Sequence, residues 1–370
     1  MHDIPAVAAE FAMPGDFIGF GPCGQGLIND TYEVRFDQAG IPVRYVIQRI
    51  NHNVFKQPEL VMDNIIRVTS HIASKLRADG ETEVARRALT LVPCRNGKLW
   101  HKDRQGNTWR GYIYIEGANA HNHVDSPALA EEAARAFGSF QGLLVDLPGP
   151  RLADTIPNFH HTRSRYNALL QAVEDDAVGR VKSVQAELDW VREREWVVDV
   201  LLNFQAQGLL PERIAHNDTK INNVMMDDKS GEAICVMDLD TVMPGLVLYD
   251  FGDLVRATTI STAEDSLELH CVEMRMNMFE ALVKGYLASA GTFLCSKEIE
   301  NLAFSGKLIT LETGIRFLTD HLNGDRYFKI KRPGHNLDRF RVQAKMVESI
   351  ERQESEMQGL TEKYCASVRR

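Results

Sequence analysis

The sequence predicts an α+β chain in two lobes, an N-terminal antiparallel sheet lobe with one main helix and a larger, mainly helical C-terminal lobe. Three observations predict it. Before residue 116, apolar and polar residues alternate over short paired segments, the pattern of half-buried strands. After Gly117, apolar residues recur every three or four positions over long stretches, as in amphipathic helices. Between two of these helical stretches lies a short β-rich insert, Ile214 to Asp240, dense in Asp and Asn. The lobes are therefore placed at residues 1–116 and 117–370, with a hinge near Glu116–Ala118.

Taken in order, Thr31–Phe36 and Val43–Ile50 alternate as strands across the polar turn Asp37–Gly40, and a glycine-dense stretch, Gly19 to Gly26, precedes them. Pro58 suits a first helical turn, and Leu60, Ile65, Ile66, Ile72 and Leu76 then give Glu59–Arg77 a helical period. Strands follow near Gly97–His101 and Trp109–Ile115 around the turn Asp103–Asn107. Ser126 and Pro127 form a cap and first position, after which Leu129, Ala133, Phe137, Phe140 and Leu144 share one face. Helical patterns recur at Thr162–Val178, Ser183–Gln207, Glu264–Ala290 and Ser296–Asn323, with a last one after Leu337.

Composition excludes several classes of protein. With 370 residues and 44% hydrophobic content the chain buries a sizeable core. A net charge of −9 argues against a nucleic-acid surface, which needs a clustered basic face. The six cysteines are scattered without a C-x-x-C pair, so buried reduced thiols are expected rather than disulfides or zinc. Neither a secretory signal nor a run of 18 apolar residues is present; a cytoplasmic chain with no membrane and no obligate protein partner is expected.

The chemistry concentrates in the insert. HNDTKINN contains H-x-D-x-x-x-x-N as His216, Asp218 and Asn223, and Asp238 ends the next apolar strand, 20 positions after Asp218. Phosphoryl transfer to an alcohol needs a carboxylate at the attacking hydroxyl and oxygen ligands that hold Mg²⁺ against a triphosphate. Asp218 suits the first role and Asn223 with Asp238 the second, while Lys220 can meet the transferring phosphoryl as a point charge. Asn, Asp and Thr are ordinary turn residues, so each alone carries little. The ordered set between apolar strands carries the reading.

The loop resembles the HGDxxxxN motif of the aminoglycoside phosphotransferase and choline kinase superfamily, with Asn217 and Thr219 departing from the commonest residues. QRINHNVF (Gln48–Phe55), HNDTKINNVM, DLDTVMPGLVLYDFGD (Asp238–Asp253) and GIRFLTDHLNGDRYFKI (Gly314–Ile330) together resemble bacterial N-acetylhexosamine 1-kinases, from about Asn29 to Leu337. The resemblance implies a protein-kinase-like two-lobed fold with ATP and Mg²⁺ as cofactors. It further implies phosphorylation of the anomeric hydroxyl of GlcNAc or GalNAc, with Arg316 and Tyr327 contacting the sugar beside Asp218. Choline, homoserine, methylthioribose or an aminoglycoside are the alternative acceptors, and a catalytically inactive binding module is a third reading. Asp250-Phe251-Gly252 spells a kinase metal-binding tripeptide, yet it lies 32 positions beyond Asp218. Asp238 is therefore assigned to the metal and Asp250 to bracing the catalytic loop.

On the nucleotide side no Walker A motif occurs. Gly24–Val34 is read as a phosphate-covering turn with Asn29 at its tip, and Ile113, Tyr114, Ile115 and Glu116 as the hinge that offers backbone groups to adenine. The usual third-strand lysine is replaced by Gln48 and Arg49; Arg49 is favoured for phosphate, with Glu59 or Asp63 as its counter-ion. Asp30 is a further substrate candidate. His121, His123, His160 and His161 are expected in solvated loops, and His216 is expected to hold the loop through its ring.

Overall fold

The computed structural model describes residues 2–24 and 28–368 and divides into two compact units, neither of them one continuous stretch. The first comprises Met1–Asn119, Asp146–Pro157 and Met225–Met243; the second comprises Ala120–Val145, Asn158–Val224 and Pro244–Arg370. The chain thus enters the first unit three times rather than dividing once at residue 116.

In the first unit, α1 (Ile4–Ala9) is followed by β1 (Asp16–Pro22), β2 (Asp30–Gln38), β3 (Ile41–Arg49), α2 (Pro58–Ala78), α3 (Val84–Arg87), β4 (His101–Lys102) and β5 (Thr108–Ile113). The strands form one antiparallel sheet ordered β1–β2–β3–β5–β4. The β2–β3 turn is tight because Ala39 and Gly40 both take positive φ, +55° and +87°, which matches the twist of the strands they join. The glycine-dense stretch is largely strand: Gly19 and Gly21 lie within β1. Gln25, Gly26 and Leu27, part of the turn read as covering phosphate, lie outside the described residues. The strand expected at Gly97–His101 is displaced to β4, because Gly97, at φ +82°, closes a turn onto Cys94. Ile4, Phe11, Val34, Ile47 and Trp109 fill the core beneath the sheet. Buried Asn64 of α2 donates to the carbonyls of Ala153 and Val242, at 2.8 and 3.0 Å, and so ties both later segments into this unit. A small sheet ordered β6 (Ala118–Ala120), β8 (Val224–Asp227), β9 (Ala233–Val236) carries the chain towards Asp238.

The second unit is helical. α4 (Pro127–Leu144) starts as expected, with the Ser126 hydroxyl accepting the Leu129 N–H at 3.3 Å. It packs on α9 (Met276–Ala290) at a glycine contact: a Cβ at Gly285 would stand 2.0 Å from the Glu131 carbonyl oxygen. α5 (Thr162–Asp175) follows, and the stretch read as one helix over Ser183–Gln207 is split into α6 (Gln185–Arg192) and α7 (Val200–Ala206) by 3-10 turns. A short pairing of β7 (Arg213–Ala215) with β10 (Met243–Gly245) precedes α8 (Val247–Thr259), a helix the periodicity did not reveal. The next helix begins at Met276 rather than Glu264, because Ile260 pairs with Met274 and the Ser261 N–H donates to Glu273. α10 (Ser296–Glu300), α11 (Leu302–Leu322) and α12 (His335–Val368) complete the unit.

Candidate active site

β7 delivers the chain into HNDTKINN, and the loop that follows is clamped from several sides within the second unit. Asn217 stands at φ +65°, a left-handed conformation that Asn tolerates better than most residues. Asp250, in the first turn of α8 and fully buried, accepts the backbone N–H groups of His216 at 2.8 Å and Asn217 at 2.7 Å. It also accepts from the Gln141 amide at 2.6 Å, and Gln141 in turn accepts the Tyr286 hydroxyl at 2.5 Å. Burial pushes the Asp250 carboxyl above its ordinary range, against the pull of His216 and of these donors. One turn on, Asp253 accepts the Thr219 N–H at 3.1 Å and is paired with buried Arg256. Asp250-Phe251-Gly252 is therefore helical and bracing.

So held, the loop brings three of the expected residues together. The Lys220 ammonium lies 2.8 Å from Asp218 Oδ1, and the Asn223 amide nitrogen donates to the Asp218 carbonyl at 2.8 Å and to Oδ2 at 3.2 Å. Burial would raise the Asp218 carboxyl, but Lys220, His216 and Arg256 outweigh it and hold the group below its ordinary value. Asp218 and Lys220 keep 30% and 48% of their side chains exposed, enough to meet a reactant. The Asn223 amide nitrogen is thereby committed to Asp218. The His216 ring accepts the Asp218 N–H at 3.3 Å and lies edge-on to Phe137 and Phe140, the loop-holding role expected of it.

Asp238 belongs to the first unit. It follows β9 in the left-handed region, φ +54°, which redirects the chain at the end of the strand. Two residues on, buried Asp240 pairs with the guanidinium of Arg110 on β5. Arg110 also donates to the Gln48 side-chain oxygen, the residue opposite it in the β3–β5 register, and Gln48 donates to Thr31 at 2.8 Å. Burial works against the charge on Arg110, yet the carboxylates of Asp240 and Asp238 hold its pKa above the ordinary arginine value. Asn29 donates to Asp240 at 2.5 Å and accepts the Asn51 N–H at 2.9 Å, so it fastens its turn to this network.

Sequence reasoning missed Arg110, which sits in an apolar-looking strand; its place opposite Gln48 was the available signal. Arg49 instead pairs with Asp30 at 2.6 Å, which makes these two candidates each other's partners. Glu59, expected as a counter-ion for Arg49, takes Lys102 at 3.3 Å. In the segment expected to serve as a hinge, the Ile113 N–H donates to Thr90, Arg44 lies over the Tyr114 ring and pairs with the Glu116 carboxylate, and Ile115 is buried.

Arg316 of α11 sits among the rings of Phe159, Tyr327 and Phe328, with centroids 5.4, 5.9 and 5.7 Å from its guanidinium carbon. Asp320, one turn along, accepts the N–H groups of Arg326, Tyr327 and Phe328 at 2.8–2.9 Å and so presents the 63%-exposed Tyr327. His121 and His123 are exposed, as expected. His160 is not: it is buried, with Nδ1 3.0 Å from Glu312 and Nε2 3.2 Å from the Asn217 carbonyl oxygen. His161 caps α5 by accepting the Ser164 N–H at 3.2 Å.

The phosphotransferase enzyme family (APH) matches residues 20–289, and the chain belongs to that family. Among solved structures it is similar to a microcompartment-associated aminopropanol kinase, at 15% identity and a TM-score of 0.59, over 96% of this chain and 97% of that one. An aminoglycoside phosphotransferase from Alicyclobacillus acidocaldarius matches at 12% identity and a TM-score of 0.58, over 99% and 95%. A spectinomycin phosphotransferase solved with ADP and spectinomycin matches at 14% and 0.51, over 92% and 93%. The fold is kinase-like, an antiparallel sheet lobe followed by a helical region. Among the described residues no helix is long and apolar enough to cross a membrane.

Proposed function

We propose that this phosphotransferase is an ATP-dependent kinase that phosphorylates the anomeric hydroxyl of N-acetylhexosamines, GlcNAc or GalNAc. The observation that carries the phosphoryl-transfer part is the clamped loop, which holds Asp218, Lys220 and Asn223 within hydrogen-bonding reach of one another. The spectinomycin phosphotransferase of similar fold was solved with ADP, which supports a nucleotide donor. Asp218 hydrogen-bonds the acceptor hydroxyl and takes its proton as the new O–P bond forms. The bond from the γ-phosphorus to the bridging oxygen breaks, and ADP leaves. Lys220 and Arg49 offset phosphoryl charge. In a loose transition state positioning dominates, so an ionised Asp218 suffices without a raised pKa.

Asn223 and Asp238 are assigned to Mg²⁺ by their chemistry: a side-chain amide oxygen and a carboxylate are hard oxygen ligands, and this ion takes few protein ligands alongside phosphates. When bound, it neutralises phosphate charge. Asn29, Arg49 and the hinge residues Ile113–Glu116 are assigned to the nucleotide, and Arg316, Tyr327 and Asp30 to the sugar.

The acceptor class rests on charge. Kinases of aminopropanol and ethanolamine appear among proteins of similar fold, and cationic acceptors call for unpaired carboxylates. Here Glu264 is paired with Arg256 at 3.0 Å and Asp265 with His335 at 2.9 Å, while the expected acceptor residue Arg316 is cationic and framed by rings. A neutral, ring-shaped acceptor suits that surface better than an amine. The test is ADP release with GlcNAc, GalNAc, glucose, galactose, choline, homoserine and kanamycin, followed by phosphorus NMR of the product. Turnover of choline or kanamycin without the sugars overturns the acceptor; no turnover with any of them favours an inactive binding module.

A further inference from the structure

His160 connects two parts of the second unit that the catalytic assignment leaves unconnected. Its Nε2 meets the carbonyl oxygen of Asn217, the residue immediately before Asp218, and its Nδ1 meets the Glu312 carboxylate on α11. Both partners are acceptors, so a neutral imidazole, with one N–H, satisfies only one of them. The other nitrogen would then set a lone pair against oxygen in a buried site, a costly arrangement at low dielectric. Two N–H groups, hence an imidazolium, satisfy both.

The surroundings support that charge. α11 contributes Glu312 and, one turn on, Arg316; α8 contributes Asp253 and the ring of Tyr249, 5.4 Å away; α5 contributes Arg165. Arg316 and Arg165 join His160 in keeping Glu312 ionised, although burial alone would raise its carboxyl. Burial and the Arg316 guanidinium work against the charge on His160, yet the Glu312 carboxylate, with Asp253, outweighs them and lifts the ring above its ordinary range. Glu312 and His160 are both buried, with side chains 1% and 7% exposed, so the pair is poorly screened.

The consequence lies in the backbone. Asn217 is left-handed, and Asp250 fixes the amide side of that residue through two N–H groups. His160 fixes the carbonyl side. We propose that His160 is a positioning residue for phosphoryl transfer: as an imidazolium balanced by Glu312, it holds the Asn217 carbonyl and so sets the peptide plane from which Asp218 projects. This rests on the phosphotransferase reading of Asp218. The sign of the pH effect follows. A raised histidine contributes fully below its unfolded value near 6.5, and its contribution is lost as pH rises through the folded value. The loop should therefore loosen on the alkaline side.

The test uses the full chain with nitrogen-15-labelled histidine. The His160 ring, assigned by its loss in H160Q, is expected to keep two N–H groups at pH 6.5 and to lose one only at higher pH. In Glu312→Gln the amide donates to Nδ1, and the same ring is expected to lose one N–H at lower pH than in the wild type. H160A is expected to lower kcat about tenfold or more, since small displacements of a reacting group cost this much, with the nucleotide KM within about twofold. The alkaline fall of kcat in the wild type should vanish in E312Q. A wild-type His160 ring already singly protonated at pH 6.5 overturns the proposal, as does an alkaline limb identical in both. Should H160A not fold, the wild-type and E312Q spectra still decide. If no acceptor is phosphorylated, the reading of Asp218 fails, while the ring spectra and the hydrogen exchange of the 216–219 amides still report on the clamp.

Discussion

The carboxylate of Asp250 accepts the backbone N–H of Asn217 at 2.7 Å, so a helix in the second unit determines the conformation of the loop that carries Asp218. The His216 N–H reaches the same carboxylate at 2.8 Å. Replacing Asp250 by Ala leaves both buried donors without that acceptor, at about 1–3 kcal/mol each. D250A is expected to unfold at clearly lower denaturant and to lose turnover, and urea titration with a matched activity assay checks both. Wild-type stability in D250A would show that the loop does not depend on this bond.

Asp218 carries the acceptor proton in the proposed reaction, and an amide at its place keeps shape without basicity. D218N is expected to lower kcat by about a hundred- to ten-thousand-fold while ADP affinity, measured by calorimetry, stays near the wild-type value. Retained turnover would remove Asp218 from its assigned role.

Arg110 and Asp240 form a buried pair, each side chain 3% exposed or less. Breaking one partner leaves a buried charge, a loss of about 3–5 kcal/mol. R110M is therefore expected to destabilise strongly. The double variant R110M/D240L should recover most of that stability but not the wild-type affinity for ADP, because Asn29 loses its anchor on Asp240. Full recovery of both would reduce the pair to a packing element.

Gly252 lies where α8 crosses α11. A Cβ there would stand 2.4 Å from the Ser305 carbonyl oxygen, a backbone atom that cannot step aside without moving the helix. G252A is expected to cost about 1–3 kcal/mol, read as a drop in melting temperature. An unchanged melting temperature would mean that the helices separate freely.

Asp103 accepts the side chains of Asn107 and Trp109, both at 2.9 Å, and the backbone N–H groups of Gln105 and Asn107. Burial would raise its carboxyl, but these donors win and lower it below 3.8. The sign follows: the stabilisation is present above the unfolded value and is lost as pH falls through the folded one. Wild-type stability should fall more steeply than that of D103N below about pH 4, as thermal unfolding at stepped pH will show.

Much of this protein was legible in its sequence because the signals were local. The Asp37–Gly40 turn, the Ser126 cap and the period of Glu59–Arg77 depend on residues a few positions apart, and they appear where expected. The structure also draws Asp218, Lys220 and Asn223 together in one loop, and Asp250 accepts that loop's backbone N–H groups. What the sequence by itself determined was the sheet-then-helix order of the chain and the grouping of Asp218, Lys220 and Asn223 in one loop. Only the tertiary structure decided the pairing of charges. Arg110 meets Asp240 across 130 positions and His160 meets Glu312 across 152, and no local pattern encodes such separations. The same holds for Arg49, which has Asp30 beside it in the sheet register, and for the stretch before Met276, where one long-range bridge outweighs helical propensity. A buried charge takes whichever partner the fold brings within reach, because leaving it unpaired costs more than any local preference can return.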